Sequence, residues 1–502
     1  MNINVRQNAK RNILFGLINR SVLLLLPFLT KSTINQCLGS DYLGLNSLFS
    51  SILQVLLLSE MGLSSALVYH MYKPIAENDT KSMNALLNLY RKAYFVIGLI
   101  ILVAGLAVTP FLPYLIKGSY PEDVNLALVY VIQVVNTSIS YFLFGYRQSL
   151  LSAYQREDVN SIINLIVQSS LQITQIVLLY TTESYIFYIL CMPIATVMNN
   201  IWIWVATRRM FPDLKSRGRV SKDTLSDIKK LVAGTFIQKA CATTRNSLDS
   251  ICISSFMGLT LTGIYNNYFS VMSGVTVLLA ITGSSLSGGI GNHVATKSVD
   301  DNYGELKRLD FLYMGLSGWM TVCLLCLFQP FMHFWMGEEM MLPLPAVILF
   351  CLYFYVLKIG DMRSLYSTAN GLWWKMRHRA IVETLCNVLL NVALGMKFGV
   401  CGIISATIIS LLFCNLLWGA SILFSSYFGK RRLGDYFVYH LKYFVFTAAV
   451  CFAAYFLCSF ISMDILIVEL LVKGIVCTLL YALCFLLTYG HSRIFREAVE
   501  ML

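Results

Sequence analysis

Five of the cations that interrupt the long apolar stretches of this 502-residue sequence could bind an anion. They are Arg20, Lys239, Arg245, Lys358 and Arg363. An Arg or Lys at the centre of a membrane helix costs about 2.5–3.5 kcal/mol on insertion scales, so it normally faces a partner or a water-filled cavity. Guanidinium and ammonium groups form charge-assisted hydrogen bonds with phosphate. We expect these side chains to bind an anionic group in a cavity, with snorkelling to the headgroups as the alternative for Arg20.

Two acidic residues are candidate partners for the first and third of these cations. Asp249 follows Arg245 by four residues, so the two side chains share one helix face and could neutralise one another. A structural pair and a substrate site remain open for them. Glu60 is a candidate counter-ion for Arg20 or a candidate titratable coupling group.

A third acidic residue, Asp361, lies between Lys358 and Arg363 in one apolar stretch. Three charges are too many for a helix that faces lipid on all sides. At least one face of this helix is therefore predicted to be wet or paired, unless the helix ends before these residues.

The remaining reactive residues lack the spacing that catalysis or metal binding requires. The six histidines form no HExxH motif, and the chain contains no GxxxxGK[ST] sequence for ATP. Most of the 14 cysteines interrupt apolar runs as small hydrophobic residues would. Cys323 and Cys326 form a CxxC pair, but it lies in an apolar helix without a histidine or a second pair. The sequence predicts no catalytic residue, no metal site, no cofactor and no enzymatic activity.

The composition indicates that membrane helices must position these charges. Hydrophobic residues make up 57% of the chain and charged residues 13%, against about 25% charged in soluble domains. We predict an all-α integral membrane protein of about 14 transmembrane helices, with 12 as the alternative. The apolar stretches run approximately over residues 12–36, 44–70, 93–116, 125–146, 159–180, 185–206, 233–255, 264–290, 309–333, 344–368, 380–396, 402–424, 443–461 and 467–489.

The basic residues predict the orientation. The chain has 38 Lys and Arg and a formal net charge of +12, which would suggest nucleic acid binding in a soluble protein. Here only Lys117 and Lys397 fall in the loops on one side, while most of the others fall in the loops on the opposite side and at the termini. The positive-inside rule therefore places both termini in the cytoplasm, and no nucleic acid partner is expected.

An internal repeat predicts two lobes. When the first half of the sequence is aligned with the second at one constant offset, Gly39 matches Gly258, Gly44 matches Gly263, and Arg20 matches Lys239. Chance similarity between apolar sequences is the alternative. The predicted organisation is an N-terminal six-helix lobe at 1–206, a cytoplasmic basic linker at 207–232, a C-terminal six-helix lobe at 233–424, and two extra helices with a cytoplasmic tail at 425–502.

Three segments resemble a known family. They are RNILFGLINR in the first span, LGSDYLGLNSLFSSIL after it, and SLDSICISSFMGLTLTGIYNNYFSVM around the seventh and eighth spans. The pattern is similar to the polysaccharide transporter family (O-antigen, capsule and exopolysaccharide flippases) of the multidrug/oligosaccharidyl-lipid/polysaccharide (MOP) exporter superfamily. The resemblance covers nearly the whole chain and implies a MATE-like fold of six, six and two helices.

The resemblance also implies a function. Such proteins carry undecaprenyl-diphosphate-linked oligosaccharides from the inner to the outer leaflet of the bacterial cytoplasmic membrane for polysaccharide biosynthesis. Cavity cations are expected on the first and seventh helices, which here are Arg20, Lys239 and Arg245, and Asp249 matches a recurring acidic position. The expected mechanism is alternating access of two lobes around a cationic cavity. Membrane lipids, a polysaccharide polymerase and glycosyltransferases are the other expected partners.

Other functions remain open. A MATE-type multidrug or cation antiporter would carry prominent acidic groups in its N-terminal lobe, which offers only Glu60 in its spans. A membrane polymerase or glycosyltransferase would need an external catalytic loop, and outer connections such as 117–124 and 334–343 are short. A channel or scaffold is the last alternative. The sequence favours the flippase.

Overall fold

The structure is a computed structural model, and its described residues are almost entirely helical. The backbone is described at residues 5–60 and 62–500, without a β-strand in those ranges. Side chains are described throughout these ranges except at positions 5–10, 12–14, 16–18, 20, 21, 24, 59, 65, 230, 231, 233–235, 237–239, 242, 246 and 284. The prediction of an all-α protein is confirmed for the described part of the chain.

The first compact unit comprises residues 1–263. Its helices are α1 (Val5–Cys37), α2 (Ser40–Leu56), α3 (Leu63–Ala76), α4 (Thr80–Val108), α5 (Leu126–Phe142), α6 (Gln148–Ala153), α7 (Glu157–Thr182), α8 (Tyr185–Met210), α9 (Lys222–Met257) and the start of α10 (Leu259–Thr296).

The second compact unit comprises residues 264–502. After α10 its helices are α11 (Val299–Met336), α12 (Leu344–Ile359), α13 (Asp361–Ala369), α14 (Trp373–Ser410), α15 (Gly419–Leu423), α16 (Leu433–Ser459), α17 (Leu466–Tyr489) and α18 (Arg493–Val499). Two π-helical segments, Leu411–Trp418 and Phe424–Phe428, flank α15.

Many of these helices are long and apolar enough to cross a membrane. Within the described residues nine qualify by length and composition, or ten when the bent pair of α5 with the segment Gly145–Ala153 is taken as one span. Each of the apolar stretches predicted from the sequence lies on one of the helices or on a broken pair of them. We conclude that the chain is a multi-pass membrane protein.

The internal repeat is visible in the backbone at two helix junctions. Gly39 joins α1 to α2 with φ 104° and ψ 173°, and Gly258 joins α9 to α10 with φ 101° and ψ 178°. This region of φ and ψ is accessible almost only to glycine. The two glycines match under the repeat offset, so the same turn occurs at the same place in each repeat. The helices that follow also keep the offset, because α4 begins at Thr80 and α11 at Val299.

Residues that match under the offset also contact each other within the first unit. Thr260 Oγ1 donates a hydrogen bond to Asp41 Oδ1 over 2.5 Å, across a separation of 219 residues. A Cβ on Gly44 would lie 2.1 Å from the Leu259 carbonyl oxygen, and one on Gly263 would lie 3.1 Å from the Gly44 nitrogen. The start of the second repeat therefore packs against its own counterpart, and only glycine allows this approach. The glycine turn and the helix start thus recur at the positions that the predicted repeat requires.

Glycine also separates the eleventh and twelfth predicted spans. Gly399, with φ 59° and ψ −139°, interrupts α14 between the stretches predicted at 380–396 and 402–424. A Cβ on Gly402 would lie 2.1 Å from the Leu394 carbonyl oxygen. The helix kinks here because Gly399 adopts a positive φ and Gly402 lets the chain approach the Leu394 carbonyl closely.

The basic segment predicted as a linker packs against the first unit. Phe211 and Leu214 are buried there, and the Lys215 backbone N–H donates to Asn84 Oδ1 at the start of α4 over 2.6 Å. The helix that follows, α9, also belongs to the first unit. The predicted lobe boundaries at 206 and 233 rest on the number of helices, whereas the first compact unit ends at residue 263. The lobe boundaries therefore stay a prediction.

Candidate functional site

Two of the predicted cations lie outside the described side chains. Arg20 lies on α1 and Lys239 on α9, and only their backbones are described. Their predicted role in binding an anion stays a prediction.

The third predicted cation is buried in the first unit. Arg245 is 8% exposed and Asp249 is fully buried, and their spacing of four residues places both on one face of α9. Burial of an ionised group is costly unless it is paired or hydrogen-bonded, so this face of α9 must provide polar partners. The structural pair and the substrate site proposed for these residues from the sequence are both compatible with this placement.

Polar contacts hold this part of α9 in place. Ser247 Oγ donates to Gln54 Oε1 of α2 over 3.2 Å. Nearer the end of α9, Ser254 Oγ donates to the Leu115 carbonyl over 2.7 Å, and the Lys117 N–H donates to the Ser254 carbonyl over 2.9 Å. Arg245 and Asp249 thus lie on a helix that is fixed against its neighbours within this unit.

Glu60 lies at the end of the short 3-10 turn Leu57–Glu60 between α2 and α3, and tyrosines hold both of its carboxylate oxygens. Tyr94 of α4 donates to Oε1 over 2.6 Å, and Tyr141 of α5 donates to Oε2. The Tyr90 hydroxyl donates to that of Tyr94 over 3.4 Å. The role of Glu60 as a counter-ion for Arg20 stays a prediction, but its described partners are neutral hydroxyl groups. No local pattern in the sequence indicates the tyrosines, because they lie on two other helices.

In the second unit the structure pairs Lys358 with Asp361. Lys358 is 3% exposed, and its Nζ lies 2.9 Å from Asp361 Oδ2. Tyr313 of α11 donates to the same oxygen over 2.5 Å. Gly360 separates α12 from α13, but Leu344–Ala369 is still a single helix long enough to span a membrane. Of the two sequence alternatives, the paired face is therefore found, and the helix does not end before these charges.

Arg363 does not join this pair through any described hydrogen bond. Its Nη1 donates to the carbonyls of Asn415 and Leu416 over 2.5 and 3.3 Å, and its Nη2 donates to Asn415 Oδ1 over 2.6 Å. The acceptors belong to the π-helical segment Leu411–Trp418, whose wider turn displaces backbone groups from the regular α-helical ladder. Arg363 is 2% exposed, and its guanidinium packs against Gly419. It stabilises the fold here, and its predicted role as a phosphate ligand stays a prediction.

The comparisons with known proteins agree with the helical architecture. No protein-family model matches the sequence, and no curated protein matches it. A solved structure of the lipid II flippase MurJ in an inward closed conformation matches with a TM-score of 0.68 and 17% identity, covering 95% of this chain and 99% of that one.

Other similar structures are MOP superfamily transporters. An inward-facing multidrug resistance MATE family transporter matches with a TM-score of 0.61 and 12% identity, covering 84% of this chain and 98% of that one. A MOP superfamily transporter from Pyrococcus furiosus, whose binding pocket is described as having reverse polarity, matches with a TM-score of 0.56 and 13% identity over 82% and 95% of the two chains. The chain therefore has the MATE-like fold of MOP superfamily transporters, and the predicted fold class is confirmed.

Proposed function

We propose that this chain is a flippase that moves undecaprenyl-diphosphate-linked oligosaccharides from the inner to the outer leaflet. The observation that carries the proposal is the extent of the structural match. The match to the MurJ structure covers 95% of the chain, so the uncovered part is much shorter than the predicted C-terminal segment 425–502. Much of that segment therefore has a counterpart in a flippase. The match to the MATE structure covers 84% of the chain, and the uncovered part is as long as the whole segment.

The buried cation on α9 supports a diphosphate substrate. A guanidinium replaces the hydration of a phosphate with two parallel charge-assisted hydrogen bonds. Arg245 is the buried, described cation that the resemblance places in the substrate cavity. Arg20 and Lys239, which match under the repeat, are proposed to bind the diphosphate together with Arg245. Alternating access around these groups would carry the charged head across, and no catalytic step is part of this proposal.

The location of the protein follows from the same proposal. A substrate on a polyprenyl lipid places it in the bacterial cytoplasmic membrane, and the distribution of Lys and Arg supports cytoplasmic termini. Contact with a polysaccharide polymerase or with glycosyltransferases remains a further part of the proposal.

A proteoliposome assay tests this function. The purified chain is reconstituted with a fluorescent undecaprenyl-diphosphate oligosaccharide, and transfer between leaflets is followed by quenching with a membrane-impermeant reductant. We expect transfer by the wild type and a loss of at least tenfold in Arg245→Ala, Arg20→Ala and Lys239→Ala. Arg91→Ala is the matched control, because Arg91 is exposed on α4, and it should transport normally. The proposal fails when the folded wild type moves no lipid-linked substrate.

A MATE-type antiporter is the second candidate, and Glu60 favours it. An antiporter needs a group that binds a proton or a cation in its N-terminal half, and the Glu60 carboxylate lies there with two hydroxyl donors. In the assay above, proton- or sodium-driven movement of a small organic cation without lipid transfer would establish the antiporter. Under that function Glu60→Gln should abolish transport, whereas Arg245→Ala should have the smaller effect.

A further inference from the structure

Three cysteines from three helices of the second unit converge in the interior. Cys326 lies on α11, Cys458 at the end of α16 and Cys477 on α17, and all three are buried, with exposures of 4%, 4% and 0%. Their sulfur atoms all lie within 4.8 Å of one another, and the Cys458 and Cys477 Sγ atoms are 3.7 Å apart. Within the described part of the chain this is the one group of three or more Cys, His, Asp or Glu side chains close enough to share a metal ion.

The sulfur triangle has the size of a metal–thiolate site. When three sulfur atoms are separated by 3.7 to 4.8 Å, the point equidistant from them lies about 2.1–2.8 Å from each, and zinc–thiolate bonds are about 2.3 Å long. Three thiolates around such an ion are about 3.8–4.0 Å apart in tetrahedral or trigonal geometry. The side chains would therefore move by only a few tenths of an ångström to bind it.

A cavity reaches two of the three cysteines. It has a volume of about 570 Å³, and its lining includes Cys326, Cys458, Gln329, His333 and Met463. The connection between α16 and α17 contributes Met463 to its wall, so the cavity lies at the end of the helices near this connection. A water molecule or a cavity side chain can supply a fourth ligand, which tetrahedral ions require.

The charges nearby favour a divalent ion over a monovalent one. Three thiolates and a divalent ion form a complex of charge −1, whereas a monovalent ion would leave −2 in an apolar interior, where charge is costly. Lys473 lies one helical turn before Cys477 on α17 and is paired with Glu469, another residue of the cavity wall. Soft thiolate ligands select zinc-group ions over magnesium or calcium.

We infer that Cys326, Cys458 and Cys477 form a binding site for a thiophilic divalent cation of the zinc group, Zn²⁺ or Cd²⁺. On binding, each thiol releases its proton to water in the cavity, and three sulfur–metal bonds form without any redox change. The ion would link α16 and α17 to α11 and so fasten the C-terminal helix pair to the rest of the second unit. The site is independent of the proposed transport function.

A cadmium titration tests the inference. The full chain in detergent is reduced, desalted and titrated with Cd²⁺, and the thiolate-to-cadmium charge-transfer absorption in the ultraviolet is recorded. Native mass spectrometry counts the ions bound. We expect one Cd²⁺ per chain, displaced by Zn²⁺, and an affinity at least tenfold weaker in Cys326→Ser, Cys458→Ser and Cys477→Ser. Cys351→Ser is the matched control, because Cys351 is a buried cysteine on α12 outside the triangle, and it should bind normally.

A second measurement covers the case in which the variants fold poorly. Wild-type protein is treated with an alkylating reagent in partial denaturant with and without Cd²⁺, and the modified peptides are mapped. Cd²⁺ should protect Cys326, Cys458 and Cys477 together. The inference is overturned when the reduced wild type takes up no stoichiometric Cd²⁺ or when Cd²⁺ protects other cysteines instead. It is also overturned when a variant with Cys326, Cys458 and Cys477 all changed to Ser binds Cd²⁺ as tightly as the wild type. Wild-type affinity for Cd²⁺ in Cys326→Ser, together with a disulfide between Cys458 and Cys477 in the unreduced chain, would also overturn it.

Discussion

Arg363 allows a direct test of whether a charge predicted to bind substrate instead stabilises the fold. Replacement by Met keeps much of the side-chain length and removes the guanidinium. The Asn415 carbonyl then loses this donor, whereas the Asn415 side-chain oxygen keeps Arg379 Nη1 and the Leu416 carbonyl keeps the Gly419 N–H. A buried polar group left without a partner costs about 1–3 kcal/mol. We expect Arg363→Met to lower the free energy of unfolding of the second unit by about 1–3 kcal/mol.

The expected change in melting temperature follows from the size of this unit. For 150–250 residues, 1 kcal/mol shifts Tm by about 2–4 °C, so Tm should fall by about 2–12 °C. Thermal unfolding of the detergent-solubilised chain, followed by intrinsic fluorescence, measures the shift. Arg431→Met is the matched control, because Arg431 is exposed, and exposed charges contribute about 0–1 kcal/mol. Arg363→Lys should give an intermediate Tm, since an ammonium cannot span both acceptors of Asn415 as the planar fork does.

One result would refute this reasoning. If Arg363→Met keeps the wild-type Tm and loses lipid transfer, the residue binds substrate, as its charge alone suggests. If the variant unfolds early but the folded fraction transports normally, the structural role is established.

Three further perturbations follow from the contacts. Gly44→Ala should lower Tm and the folded yield by at least the roughly 1–3 kcal/mol typical of overpacking, because its Cβ would lie 2.1 Å from the Leu259 carbonyl oxygen. Asp361→Asn should destabilise the second unit by about 1–3 kcal/mol in thermal unfolding, because the buried Lys358 ammonium loses a carboxylate partner that is itself 37% exposed. Asp79 caps α4, and its hydrogen bonds from Ser82 hold the pKa of this carboxyl below its ordinary value. Its contribution to stability is therefore present above the unfolded pKa of about 3.9 and is lost as the pH falls through the folded pKa. Asp79→Asn should remove that part of the acid dependence in Tm measured against pH.

Each of these predictions has a control. Gly288→Ala adds a methyl group where no packing atom of the described residues lies within 4 Å, so it should leave packing unchanged. Equal losses in both glycine variants would contradict the packing argument. Lys358→Met combined with Asp361→Leu should cost less than the sum of the single changes, because the pair is removed together. An Asp79→Asn variant with the acid profile of the wild type would show that the cap does not titrate in this range.

The sequence predicts the fold well where a single physical signal acts locally. Long apolar stretches identify helices because a membrane span needs about 20 apolar residues. The repeat is recognisable from its glycines, and Gly39 and Gly258 do share one rare backbone conformation. Gly399 breaks α14 between two predicted spans. In each case the residue type restricts the backbone, so the outcome is encoded in a few neighbouring positions.

The sequence predicts side-chain partners less well. Lys358 and Asp361, three residues apart, are paired as their spacing indicates. Arg363 contacts Asn415 in a π-helical segment that no local pattern indicates. The cysteine triangle is equally hidden, because the CxxC spacing points to Cys323 and Cys326, while the close sulfur atoms come from α16 and α17. Contacts between distant segments depend on helix rotation, which hydropathy does not determine.

The two halves of the chain have a tyrosine hydrogen-bond donor at matching positions, but the carboxylates that accept these hydrogen bonds lie at positions that do not match. Tyr94 and Tyr313 match under the repeat offset, and each hydroxyl donates to a carboxylate. The carboxylates do not follow the offset, because the position that matches Glu60 is Leu279, whereas Asp361 begins α13. A search for matching charges in the two halves therefore cannot find this correspondence, although a search for matching hydroxyl groups would.

The second donor distinguishes the two carboxylates chemically. Asp361 also contacts the Lys358 ammonium, which has three donors and no acceptor. Glu60 instead receives the Tyr141 hydroxyl, and a hydroxyl can both donate and accept, so Glu60→Gln can keep this contact. Asp361→Asn removes the carboxylate opposite the Lys358 ammonium, so it should lower Tm more than Glu60→Gln does.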